Sequence, residues 1–231
     1  MNSELSFAGA PLTMRISPRA RRLRLRVDPR TREVLLTVPK RTSQRHALAW
    51  AAEHREWIES RLAEIPDNVP IQPGAMIPYR GQELAIDWEP SSPRRIEHSD
   101  GRLVVGGPLE NLEGRVLRWF KAQAHALLAH ETMELAAKAG ARLEKIGVGD
   151  PVSRWGSCSS KGGIRYSWRL ILAPDFVRRA TVAHEVAHLV HLNHGKDFHR
   201  LVEQLLGEDP RPARSWLRRD GAALHRIGRR G

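Results

Sequence analysis

Between Met14 and Val38 apolar and charged positions alternate. Leu23, Leu25 and Val27 interleave with Arg22, Arg24 and Arg26, the run Asp28-Pro29-Arg30-Thr31 interrupts, and Val34-Leu35-Leu36-Thr37-Val38 resumes. A period of two on both sides of a turn predicts a β-hairpin, with arginines on one face and aliphatics on the other. From Thr42 or Ser43, either a suitable N-cap, the spacing becomes helical through Ala47, Trp50, Ala51, His54, Trp57, Ile58 and Leu62, and Ile65-Pro66 ends it. One helix is therefore predicted from about residue 42 to residue 62.

A proline-rich connector (Pro66, Pro70, Pro73, Pro78) leads to predicted strands at 81–88 and 94–105, and Gly106-Gly107-Pro108 is the expected domain boundary. Glu110 to about Ala139 reads as one long amphipathic helix closed by Gly140. Residues 142–148 and 163–168 read as strands around a Gly/Ser-rich loop at 156–163. Ala173-Pro174-Asp175 opens a further helix carrying Phe176, Val177, Ala180, Ala183, Val186, Ala187, Leu189 and Val190, and the tail is helical to about Leu224. Residues 1–13 carry no comparable pattern and are expected to be a disordered lead. The expectation is an α+β protein: a small basic α+β module (β-hairpin plus helix) over 14–107, and a second half over 110–231.

Composition narrows the classes. Hydrophobic residues make up 41% of 231, which suits a globular chain. No stretch approaches the roughly 20 apolar residues of a membrane span, and residues 1–7 lack a secretory pattern, so no membrane association is expected. The single cysteine, Cys158, excludes an internal disulfide framework and a four-cysteine zinc site. A cytoplasmic location is the expectation.

The net charge of +12 is unevenly spread. Arg15 to Arg45 contains eleven basic residues against Asp28 and Glu33, and Arg211 to Arg230 contains seven arginines against Asp220. Nucleic acid is a candidate partner for these two basic segments. Arginine outnumbers lysine 32 to 6, so part of the signal is a chain-wide compositional bias.

His184-Glu185-Val186-Ala187-His188 sets two imidazoles four residues apart, on one face of a helix and within reach of one ion. Catalytic zinc takes three protein ligands and keeps a position open, and a carboxylate beside the first ligand is suited to general-base work. Five of the chain's eleven histidines fall within 184–199. His194 lies in Asn193-His194-Gly195, where the helix should end and turn back, and is favoured as third ligand. His191 competes, because i+7 keeps it on the same face, but three ligands along one straight helix cannot easily surround an ion. The expected cofactor is one zinc ion and the expected substrate a peptide or protein. The same chemistry also hydrolyses other amides and esters, and the rival readings are a nucleic-acid-binding protein whose zinc site is structural or degenerate, or a protease recruited to nucleic acid by its basic segments.

The run Arg154-Trp155-Gly156-Ser157-Cys158-Ser159, the segment Ile164 through Trp168-Arg169-Leu170-Ile171-Leu172-Ala173-Pro174, then His184-Glu185-Val186-Ala187-His188-Leu189 and Asn193-His194-Gly195-Lys196-Asp197-Phe198 together resemble the YgjP-like metallopeptidases, relatives of the SprT-like and zincin proteases. The resemblance covers about residues 150–205 strongly and the N-terminal hairpin and helix more loosely. It implies zinc held by His184, His188 and His194, a catalytic Glu185, and a zincin-like catalytic half behind an N-terminal α+β half. After Phe198 the family often has tryptophan, and here His199 stands there.

Further candidates lie around this motif. Arg154 and Tyr166 are candidates for stabilising an oxyanion. Cys158, His191 and His199 are candidates for supporting or contacting the metal, each set against the plainer role of a loop or surface residue. Residues 164–168 are a candidate strand for pairing with an extended peptide. Trp155 and Trp168 are expected to pack around the metal helix.

Overall fold

In the computed structural model, residues 5–29, 31–65, 67–93 and 95–228 are described. They form a mixed α+β protein whose chain divides into two compact units, Met1–Asp67 and Asn68–Gly231. The expected boundary at Gly106-Gly107-Pro108 lies inside the second unit. Ile77, Leu84, Ile86, Leu103 and Val105 share one apolar core with Val116 and Phe120, which keeps the strands before that boundary with the helix after it.

In the first unit β1 (Leu5–Phe7), β2 (Ala10–Ser17), β3 (Arg24–Val27) and β4 (Val34–Pro39) form one sheet in the order β1-β2-β4-β3. The β3–β4 pair is antiparallel, with Val27 opposite Val34, as the alternation predicts. The disordered lead is corrected from residue 5 onward. Leu5–Phe7 pairs with Ala10–Leu12, and Ala10 and Leu12 are buried. Residues 1–4 lie outside the described residues.

Val34, Leu36 and Val38 face inward with period two. They meet Ala47 and Ala51 of α1 (Gln44–Glu53), and Ile58 and Leu62 of α2 (Arg55–Ala63), in one core. Ser43 caps α1 by accepting from the His46 amide. The single predicted helix is two, and the break falls at His54. Its ring is hydrogen-bonded to the Trp50 carbonyl at 2.9 Å, which an uninterrupted helix would give to the His54 amide. That amide turns to Ala51 instead.

The second unit begins with the sheet β5 (Met76–Tyr79), β6 (Gln82–Trp88), β7 (Glu97–Ser99) and β8 (Arg102–Val105), ordered β5-β6-β8-β7. Helix α3 (Leu112–Lys138) runs 27 residues and buries Leu112, Val116, Phe120, Ala124, Leu128, Thr132 and Leu135, each about one turn from the next. Gly140 follows it at φ 60°, the left-handed exit its position predicts. A three-stranded sheet comes next: β9 (Lys145–Gly149), β10 (Gly156–Cys158) and β11 (Gly163–Ser167), in the order β10-β11-β9. The residues expected to be only a loop at 156–163 thus include a strand.

Helices α4 (Asp175–Ala187), α5 (Lys196–Leu206), α6 (Arg211–Arg219) and α7 (Gly221–Leu224) complete the unit. Two buried arginines fasten it. Arg178 of α4 makes a two-pronged bond to Glu131 of α3 at 2.8 and 3.0 Å. Arg169 holds Asp150 at 2.8 Å and donates to the carbonyls of Leu224 and Ile227, tying the tail to the sheet. Among the described residues no helix is long and apolar enough to cross a membrane.

Candidate metal centre and active site

Helix α4 starts after Pro174 with Asp175 in its first turn and turns Val177, Ala180, Ala183 and Ala187 into the core. That face leaves His184 and His188 half-buried on the neighbouring side, one turn apart. The helix ends at Ala187, short of the predicted reach to Val190 and His191. Val190 and Leu192 are exposed, so no burial draws the helix on. The His191 amide closes the turn onto the Ala187 carbonyl at 2.8 Å, and the chain reverses through Asn193-His194-Gly195 into α5.

This reversal returns His194 to α4. Ligand atoms of His184, His188 and His194 all lie within 4.8 Å of one another, and the Nε2 atoms of His184 and His194 are 3.3 Å apart. Nδ1 of His188 is hydrogen-bonded to the His191 carbonyl at 3.1 Å, leaving Nε2 free for a ligand role. Phe198, fully buried on α5, carries all three rings: its centroid is 4.9 Å from His184, 4.5 Å from His188 and 4.7 Å from His194. Burial, reinforced by the neighbouring His188 and His194, pushes His184 down to about 4, so its ring is neutral near pH 7. Burial likewise lowers His194, with His188 and His199 adding to the effect. Three imidazoles converging on one point are a donor set that suits zinc.

Glu185 is itself among the buried residues of its helix and lies against β10. It is 6% exposed, and burial pushes its carboxyl up to about 7 against the opposing charge of Arg154. Gly156 of β10 lies against it: a methyl group on Gly156 would stand 2.5 Å from Oε1 and 2.6 Å from Cγ. Beside His184 and Glu185 opens a cavity of about 220 Å³ whose wall includes Trp155, Ala180, Ala213, Arg214 and Leu217.

The remaining candidates divide. Arg154 is exposed and lines a cleft over β10 and β11 together with Cys158. Tyr166 is corrected as an oxyanion donor, because it is fully buried and its hydroxyl lies 3.0 Å from the Thr132 hydroxyl. His191 is not among the clustered ligand atoms and serves through its carbonyl. His199 is exposed, with its ring 6.4 Å from that of His194. Cys158 also stands outside the ligand cluster, and burial followed by the charge of Glu185 pushes its thiol up. The strand at 163–167 has β9 on one side and β10 on the other, so it has no edge to offer a peptide.

Four residues that no motif singles out also contribute. Phe198 supports the rings from α5, Gly156 admits the Glu185 carboxylate, and Arg214 and Leu217 of α6 line the cavity. Apolar spacing along α5 and α6 marks a buried face but not what that face supports.

Among known proteins, the family model described as YgjP-like, metallopeptidase domain matches residues 21–220. No curated protein and no solved structure matches the chain.

Proposed function

The chain belongs to the YgjP-like metallopeptidase family, and from that premise we propose a zinc-dependent peptidase in which His184, His188 and His194 hold the ion and Glu185 is the general base. The observation that carries the reading is the convergence of three imidazole nitrogens within 4.8 Å beside a buried carboxylate. Within the second unit, residues 110–231 form the zincin-like catalytic half of this proposal.

A zinc ion held by these rings supplies Lewis acidity, which acidifies water and polarises a carbonyl. Glu185 accepts the proton of the attacking water and passes it to the departing amine. Its burial beside His184 holds the carboxyl where it can take up that proton and give it back. Arg154, exposed above the same region, steadies negative charge that develops on the substrate oxygen. The cavity walled by Ala180, Ala213 and Leu217 receives a substrate side chain, with Arg214 at its border. Strand β10 has β11 on one side only, and its other edge is suited to hydrogen-bond an extended peptide past Glu185.

A structural zinc site normally closes all four positions with protein ligands, and the cluster among the described residues offers three. That favours a catalytic role. The test is cleavage of an unfolded protein such as reduced casein by the zinc-loaded chain. Cleavage that disappears in Glu185→Gln and on chelation supports the reading. Cleavage that survives Glu185→Gln assigns the base elsewhere.

A further inference from the structure

The first unit holds a groove that the proposed peptidase chemistry does not use. The segment from Ser17 to Leu25 contributes Arg19, Arg21, Arg22 and Arg24 to its lining, and helices α1 and α2 contribute Trp50 and Trp57. No carboxylate is among its described lining residues. The four arginines are exposed. None of them pairs with a carboxylate among the described residues, whereas Arg26, Arg32, Arg55 and Arg61 of the same unit each do. Trp57 is 41% exposed on the outer face of α2, although indole rings usually bury most of their surface. Trp50 packs tilted against His54 at 4.3 Å, which holds its ring in place.

We infer that this groove binds single-stranded nucleic acid, with the arginines on consecutive phosphates and the indoles stacked on unpaired bases. Unpaired cations alone would suit any polyanion. Indole rings lining the same groove add a demand that exposed bases meet, because every base presents a π-face once it is unstacked. The other basic segment is less suited. In the tail Arg211 pairs with Asp209 and Arg219 with Asp220, and Arg214 lines the cavity beside His184.

The test is fluorescence anisotropy of the full chain with labelled oligothymidylate and oligouridylate of about 20 nucleotides, against a duplex of equal length and heparin as competitor. At least one single strand is expected to bind about tenfold or more tighter than the duplex, with a slope of log K against log salt near −3 for four phosphates. Trp57→Ala, at an exposed position, is expected to weaken binding about fivefold or more, and Trp57→Phe to restore most of it. Combined Arg21→Ala and Arg22→Ala should flatten the salt slope. Glu185→Gln should bind as the parent chain does. The inference is overturned if no oligonucleotide binds at about 50 mM salt. It is equally overturned if duplex and heparin bind as well as single strands while Trp57→Ala is neutral, which would leave a general polyanion surface.

Discussion

A methyl group added to Gly156 would lie 2.5 Å from Oε1 of Glu185, closer than real side-chain carbons approach such an atom. The edge strand of the small sheet and the helix of the metal motif are thus fitted to each other at the carboxylate. Glycine at 156 is what allows the β10 backbone to approach the Glu185 carboxylate this closely.

Gly156→Ala should displace the Glu185 carboxylate while leaving all three imidazoles where they are. Displacements of about 1 Å in catalytic groups cost on the order of a hundredfold in rate. The expected result is a kcat reduced by about that factor with zinc content unchanged, read from steady-state cleavage together with metal analysis.

His191 and His199 flank the cluster without joining it. His191→Ala keeps the carbonyl that accepts from His188, and the His199 ring stays 6.4 Å from that of His194. Both variants should bind zinc within about threefold of the parent, whereas Phe198→Ala, which removes the support of three rings, should weaken binding about tenfold or more. Competition with a zinc-sensitive dye measures all three.

Arg178 and Glu131 are 1% and 3% exposed and bonded to each other. Glu131→Ala takes away the buried partner of Arg178 and leaves it only the half-exposed Asp175, so it should cost about 3 kcal/mol in chemical denaturation. Glu131→Leu combined with Arg178→Met should recover much of that loss, because no unpaired charge remains.

Asp175 accepts hydrogen bonds from Arg80 and from Arg178, with Arg80 the larger influence, and together they hold its carboxyl well below the usual carboxylate range. A depressed folded-state pKa contributes stability that is present above the unfolded value of about 4 and is lost as pH falls below it. Asp175→Asn should therefore lower Tm at pH 7 and lose that effect progressively in acid. A decrement independent of pH would argue against the ion network.

Much of this was legible in the chain. Alternation around Asp28-Pro29 predicted the β3–β4 pair, and His184, Glu185, His188 and His194 stood out by spacing and by the turn formers around His194. Other features depended on contacts that carry no local signature. Residues 5–7 and 10–13 are strands through partners elsewhere in the chain, β1 on β2 and β2 on β4. The helix over 42–62 broke because one histidine ring competes for a carbonyl. Tyr166 had the chemistry of an oxyanion donor, but α3 buries it against Thr132, and no pattern in residues 163–168 reports that.

The most direct test of the central claim is the zinc content of the purified chain after loading and gel filtration, alongside His194→Ala and Glu185→Gln. One zinc per chain in the parent and in Glu185→Gln, with most of it lost in His194→Ala, is the predicted result. A parent chain that retains no zinc, or a His194→Ala chain that retains all of it, would contradict the assignment of these three histidines to one metal.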